Sequence, residues 1–235
     1  MKAVPLRQVT RIGLLGGMTA VSAYLTYAGV TWLRYGRPCQ ARPDERDAVL
    51  DRFMPVYDVV ERQHIAVDAP AAVTLDAART LSLNTIPLVR TIFRTRELLL
   101  GSAPGSDDLL AGLVVQMHAL GWGVLAEAPG TEIIMGAVTR PWEPNPTFQA
   151  VDPQQFAQFA APDLVKIIWT LRADPIGPCA SVFRTETRAL PTDRCASARF
   201  RTYWAFLSPG IRLIRRATLA PIKRTAERRF AAGTA

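Results

Sequence analysis

Histidine is nearly missing from this chain, which has two in 235 residues. His64 and His118 stand far apart, so no local spacing makes a two-histidine metal site. Each reads as a surface or hydrogen-bonded structural residue. Cysteine is almost as scarce, at three. No pair has a CxxC or zinc-site spacing, which removes the common redox and structural-zinc frameworks. Cys39 is not in a lipobox, because Arg37 and Pro38 stand where small and apolar residues are needed. A lone thiol there is a weak acylation signal. Cys179 and Cys195 can pair only if the fold brings them together; otherwise they read as two buried or half-buried thiols. The chain also lacks a glycine-rich phosphate loop, a GxSxG elbow and an HExxH helix. Neither a metal nor a cofactor is expected.

Long apolar runs are rare too, and one stands out. Ile12 to Leu33 is about 22 residues without a charge. At about 1.5 Å per residue, such a helix matches a hydrocarbon core of roughly 30 Å. The expectation is one transmembrane anchor over residues 1–35, retained in the mature protein. A cleaved signal peptide is the alternative. It has an apolar core of about 7–15 residues and a small-residue cleavage site, and Thr31-Trp32-Leu33-Arg34-Tyr35 offers none. Trp32 and Tyr35 suit a membrane interface. Gly13 and Gly17 form a GxxxG pair that could let two anchors pack closely. Lys2, Arg7 and Arg11 precede the run; Arg34, Arg37, Arg42 and Arg46 follow it. These counts are nearly balanced, so orientation is weakly specified. The expected location is a single pass in a bacterial cell membrane, with the remaining domain on the cytoplasmic side.

The net charge of +8 is unevenly spread. Residues 1–46 hold seven Lys/Arg against two Asp/Glu, and residues 199–229 hold nine against one. Residues 47–198 hold twelve against seventeen, so the middle is mildly acidic. An acidic middle without a nucleic-acid motif argues against nucleic acid as partner. A basic C-terminal helix suits an anionic bilayer surface. Equally, Arg212, Arg215, Arg216, Lys223, Arg224, Arg228 and Arg229 could form an ordinary solvated face.

After the anchor, residues 36–54 read as a linker, polar and Pro-bearing in its first part. A strand is expected over 56–67, with Tyr57, Val59, Glu61, Gln63, Ile65 and Val67 on one face. Helices follow over 70–81 and about 86–100, then a loop over 101–108. The stretch 109–120 is ambiguous between helix and strand. Strands are expected near 122–128, 131–139 and 147–151, then a short helix over 153–160. The clearest strand is 164–173: Val165, Ile167, Trp169, Leu171 and Ala173 face one way, Lys166, Thr170 and Arg172 the other. Asp174 to Gly177 turns the chain into a partner strand over 179–189. A long helix opens at Pro191-Thr192-Asp193, with an interruption at Ser208-Pro209-Gly210 and a bend at Pro221. Phe200, Tyr203, Trp204 and Leu207 should pack on the sheet, whose apolar face needs a cover.

This order of segments resembles the START/Bet v 1-like superfamily, also called SRPBCC, in an uncharacterised bacterial branch. The residues that carry the resemblance are Ile65 to Pro70, Gly136 to Trp142, Trp169 to Arg172, Phe183 to Arg188, and Tyr203-Trp204 to Glu227. It covers about residues 55–230, leaving 231–235 as a tail. The anchor and Pro221 depart from the usual pattern. The resemblance implies an α+β helix-grip fold: an antiparallel sheet wrapped on a long C-terminal helix, here preceded by one transmembrane helix. It also implies an internal cavity for lipids, sterols, polyketides or other apolar molecules, with cyclase or hydrolase activity in a minority of members.

Candidate site residues follow from that frame. Glu61 shares its strand face with Val59, Ile65 and Val67. Inside a cavity its carboxylate would be desolvated and its pKa raised, as a general base or ligand anchor requires. Trp169 belongs on the concave face. Arg140 could hold an anionic headgroup at the cavity mouth or simply close a turn, and Trp142 offers a large apolar surface to a ligand. Glu186 reads as a cross-strand partner of Arg172 or Arg188. Trp122 offers further apolar surface. The expected function is a membrane-tethered binding or transfer module for a hydrophobic small molecule or lipid. The alternatives are a polyketide cyclase/hydrolase-type enzyme acting in the same cavity, and a partner-binding protein with a filled core. Oligomeric state is not encoded in any of these features.

Overall fold

The computed structural model describes residues 6–83, 86–92 and 112–233. Its strands are β1 (Val59–Val67), β2 (Gly123–Ala128), β3 (Glu132–Thr139), β4 (Phe148–Gln149), β5 (Val165–Gly177) and β6 (Ala180–Pro191). Its helices are α1 (Leu6–Arg34), α2 (Ala48–Phe53), α3 (Ala71–Arg79), α4 (Leu113–Ala119), α5 (Pro153–Phe156) and α6 (Arg194–Gly233), with a helical stretch over 87–92. All strands join one antiparallel sheet in the order β1-β6-β5-β3-β2, and β4 pairs with the end of β3. The fold is α+β, with an antiparallel sheet and a long C-terminal helix. The expected helix over 86–100 lies partly, and the loop over 101–108 wholly, outside the described residues. The ambiguous stretch resolves as a helix over Leu113–Ala119.

Side chains alternate across a strand, so the sheet has two faces. The inner face carries the odd-numbered residues of β1, β3, β5 and β6. There Val67, Ile133, Met135, Leu171 and Phe183 pack with Leu75 and Ala78 of α3 and Ile222 of α6. The outer face carries Ile134 and Ile168, buried with Leu50, Met54, Leu125 and Phe156. The two hairpin strands β5 and β6 run further than expected. Asp174 and Pro175 stay in the ladder, and the chain reverses at Pro178-Cys179. Cys179 and Cys195 therefore sit beyond opposite ends of β6, separated by about 40 Å of strand. Both are exposed and free, as is Cys39, which corrects the expectation of buried thiols.

Residues 36–54 are not a plain linker. Asp47 caps α2 by accepting from the backbone N–H of Val49 and Leu50 at 3.0 and 2.9 Å. Leu50 and Met54 are then fully buried on the outer face. Gly136 makes room for this layer, because a Cβ there would meet Leu125 Cδ1 at 2.5 Å and Phe156 Cε2 at 2.8 Å. Charges fasten the segment. Arg188, buried in the sheet, donates to Glu186 at 2.7 Å, to Asp51 at 2.6 Å and to the Met54 carbonyl at 2.7 Å. Arg62 grips both oxygens of Glu186 at 2.9 and 3.0 Å and also reaches Tyr57 and the Cys39 carbonyl. Glu186 thus pairs with Arg188 and Arg62; Arg172 turns instead to Asp174 and Asp47.

Two helix expectations are also corrected. α6 is continuous over 40 residues, with Pro209 and Pro221 inside it. A proline removes one helical N–H donor and crowds the preceding turn. Near Pro209, helix α1 supplies a donor: Tyr24 Oη donates to the Phe206 carbonyl at 2.6 Å, and Tyr27 Oη meets Ser208 Oγ at 3.0 Å. Arg201 caps the Trp32 carbonyl and stacks on its ring. So α1 docks along α6. Among the described residues, no helix is long and apolar enough to cross a membrane. The apolar run is diluted by Gly, Ser, Thr and Tyr, and two of those tyrosines serve α6. The expected transmembrane helix is not found.

Two outcomes test the outer layer. Leu50→Ala should cost about 2–5 kcal/mol in urea unfolding of the full chain; a loss under about 0.5 kcal/mol would return the segment to a linker. The second concerns Glu132, which accepts from Thr170 at 3.1 Å and faces Asp47. Burial, then the hydrogen bond and charge of Asp47, push Glu132 up to about 8. Burial opposes ionisation of Asp47 too, but the proton of Glu132, the α2 backbone and Arg172 hold it below its usual value. Glu132 therefore keeps its proton in the fold at pH values where the unfolded chain has lost it. Its stabilising contribution is full below about 4.5 and is lost as pH rises through about 8. The melting temperature should fall by roughly 3–8 °C from pH 6 to pH 9. Glu132→Gln, which keeps a donor toward Asp47, should flatten that slope; an unchanged slope would refute the shared proton.

Candidate functional site

The inner face holds two apolar clusters rather than one. The first includes Val67, Leu75, Met135, Leu171, Phe183 and Ile222. The second is Val59, Val165, Ala189, Phe200 and Trp204. Between them the strand registers place polar side chains. Thr187 lies opposite Glu61 on one side and Trp169 on the other, and Thr185 lies opposite Gln63. Helix α6 crosses this belt. Its buried stripe runs through Phe200, Trp204, Ser208, Thr218, Ile222 and Ala226 at helical spacing. Arg215 falls within that stripe, where an apolar residue would continue it.

Glu61 is buried at 7 % exposure. Arg212 Nε donates to Glu61 Oε1 at 2.5 Å, and Arg212 Nη2 stands equally close. The Arg212 side chain is 43 % exposed, so this ion pair has one dry and one wet end. Tyr27 of α1 lies under the Arg212 guanidinium at 5.6 Å. Arg215 is different. The residue is half-buried as a whole, but Nε is closed off from solvent and has no acceptor among the described residues. Nη2 donates to Thr187 Oγ1, and Nη1 reaches Thr185 Oγ1 at 3.5 Å. The same Thr185 oxygen accepts from Trp169 Nε1 at 2.9 Å. Among the described residues no carboxylate stands within 4 Å of Arg215. Burial pulls its pKa down to about 10, and attraction to Glu61 only partly offsets this. It is a cation at neutral pH, held by neutral hydroxyls.

Of the four residues singled out from sequence, Glu61 and Trp169 share this belt. Arg140 and Trp142 do not. Arg140 Nε donates to the Asp163 carbonyl at 3.0 Å and pairs with the Asp163 and Glu143 carboxylates. Trp142 packs at the edge of the second cluster, with Arg199 over its ring at 5.9 Å. Trp122 stacks on Phe148 at 5.4 Å. His64 is exposed on the outer face, and His118 is exposed at the end of α4. Sequence reasoning passed over Thr185, Thr187, Arg212 and Arg215. The signal was present for Arg215: counting back from Ile222 by seven reaches it on the covered side of the helix.

A cleft opens on the outer face among Glu45, Asp47, Arg62, His64, Arg172 and Glu186. It spans about 310 Å³ when space open to solvent is included. Its charges are paired through the ion pairs that hold residues 36–54, although Asp47 Oδ2 and Arg172 Nε are buried there without a hydrogen-bond partner among the described residues. Among the described residues, no cluster of three or more His, Cys, Asp or Glu has the geometry to hold a metal ion.

No protein-family model and no curated protein matches the chain. Solved structures show a distant likeness. The hypothetical protein jhp0584 of Helicobacter pylori aligns at TM-score 0.39 and 7 % identity, over 80 % of this chain and 99 % of its own. TTHA0849 of Thermus thermophilus aligns at TM-score 0.25 and 9 % identity, over 75 % and 100 %. The Zhui aromatase/cyclase of Streptomyces sp. R1128 aligns at TM-score 0.27 and 10 % identity, over 73 % and 94 %. At TM-scores below 0.5 these likenesses carry no argument about activity.

Proposed function

We propose that this protein is a binding module for an amphipathic small molecule seated between the inner face of the sheet and α6. The polar belt between two apolar clusters carries this reading. A core built for stability alone is continuous and apolar, because a buried charge or hydroxyl loses hydration that internal bonds rarely repay in full. Here Glu61, Thr185, Thr187, Trp169 and Arg215 converge in the helix–sheet interior. Small-molecule sites have this composition: mostly apolar walls with a few placed polar groups. The helix-grip resemblance drawn from the sequence supports the same place.

The enzymatic alternative needs a free general base in that interior. Glu61 is the carboxylate available in the belt, and Arg212 occupies it. That pairing favours binding over turnover. A substrate proton would have to compete with the Arg212 guanidinium, which already holds Glu61 Oε1 at 2.5 Å.

Native mass spectrometry of the full chain with a mixture of neutral and anionic alkyl compounds tests the reading. One-to-one adducts are expected. Thr187→Phe, which fills the belt from a half-buried position, should reduce uptake at least about tenfold while the chain still melts cooperatively. A wild-type chain that takes up none of the mixture, or a Thr187→Phe variant that binds as well as wild type, would sink this placement.

A further inference from the structure

We infer that Arg215 is the anchor for the anionic head of the ligand, and that the ligand class is a long-chain carboxylate. The inference rests on the interior binding site proposed above and names what that site selects. Arginine has five N–H donors in a planar fork. At Arg215 one reaches Thr187 and one makes a long contact with Thr185. Nε is buried and has no acceptor among the described residues. A buried donor without a partner is costly, and a buried cation without a counter-charge more so. A carboxylate against the guanidinium edge would satisfy Nε and a neighbouring Nη–H together, in the bidentate geometry that arginine favours.

Charge counting in the belt agrees. Among the described residues, two guanidinium groups, Arg212 and Arg215, face one carboxylate, Glu61, and Arg212 neutralises that one. The site therefore carries one positive charge in excess, located at the buried end. The side chains around the guanidinium are apolar and suit an alkyl chain: Trp169, Leu171 and Ile222 are buried in the first cluster, and Ile214 of α6 packs against it. A free inorganic anion would satisfy the charge but leave these walls unused. An alcohol or ester would use the walls but leave Nε and the charge unmatched.

The test is titration of the full chain with dodecanoate and with dodecanol, followed by intrinsic tryptophan fluorescence and by melting temperature. Wild type should bind dodecanoate at least about tenfold more tightly than dodecanol. Arg215→Met should remove that preference while leaving dodecanol binding within about twofold. Without ligand, Arg215→Met should melt at or above the wild-type temperature, because a misfit charge has been replaced by an alkyl chain. Arg215→Gln, which removes the charge but keeps a polar side chain, provides the same comparison should the methionine variant fail to fold. Equal wild-type affinity for the two compounds would overturn the carboxylate assignment and leave the binding site standing. Binding of neither would overturn the site itself, and the assignment with it. A sharp fall in melting temperature in both ligand-free variants would make Arg215 a structural residue and overturn the assignment. Binding of inorganic phosphate as tight as that of dodecanoate would show that the chain plays no part, and would overturn it too.

Discussion

The pairing of β1 with β6 is the constraint on which the rest of this structure depends. These strands are more than a hundred residues apart in the chain, and nine residue pairs align without a bulge. That single register builds both faces of the sheet. On the inner face it sets Glu61 opposite Thr187, under the middle of α6. On the outer face it sets Arg62 opposite Glu186, within reach of the segment that precedes β1. A slip of one residue would exchange the two faces, putting Arg62 into the helix–sheet interior and Glu61 among the outer ion pairs.

The two faces then solve the same problem in opposite ways. Both bury charge, which costs hydration. The outer face closes its account locally: Arg188, Glu186, Arg62, Asp51, Arg172, Asp174 and Asp47 form a connected network in which nearly every charge has an opposite neighbour. Such a network holds residues 36–54 in one place, while Lys166, also buried on this face, donates to the Phe156 and Ala157 carbonyls. Among the described residues, the inner face leaves Arg215 without a carboxylate of its own. An interior with an unmatched charge, lined by apolar walls, is less stable than a filled core would be, and proteins carry such defects where they bind something.

The long helix ties the faces to the N-terminus. Pro209 weakens the hydrogen bonding of α6 near the point where α1 crosses it, and the tyrosines of α1 meet that turn. Tyr27 also lies under Arg212, which pairs with Glu61. One segment thus connects an apolar N-terminal run to the wet end of the candidate site. Two of the positions that dilute the run, Tyr24 and Tyr27, make this contact.

Much of the architecture was legible along the chain. Alternation in Val165 to Ala173 marked β5 and its faces, the strands read near 122–128 and 131–139 marked the β2–β3 hairpin, and Phe200 and Trp204 at helical spacing marked the side of α6 that meets the sheet. Glu61 and Trp169 were legible as inward-facing because strand period alone decides which face a residue takes. What local pattern cannot carry is pairing across the chain. The apolar run of α1 reads the same whether lipid or a neighbouring helix lies beside it. Residues 36–54 are polar by composition, yet two apolar residues there are buried because distant arginines hold the segment down. Arg215 reads as one more basic residue in a basic helix until β6 is laid beneath it. The sequence by itself determined the elements, their order and their faces, because these follow from periodicities of two and 3.6 residues. Only the tertiary structure decided which charges meet and which is left over, because ion pairing depends on distances between segments that no local spacing encodes.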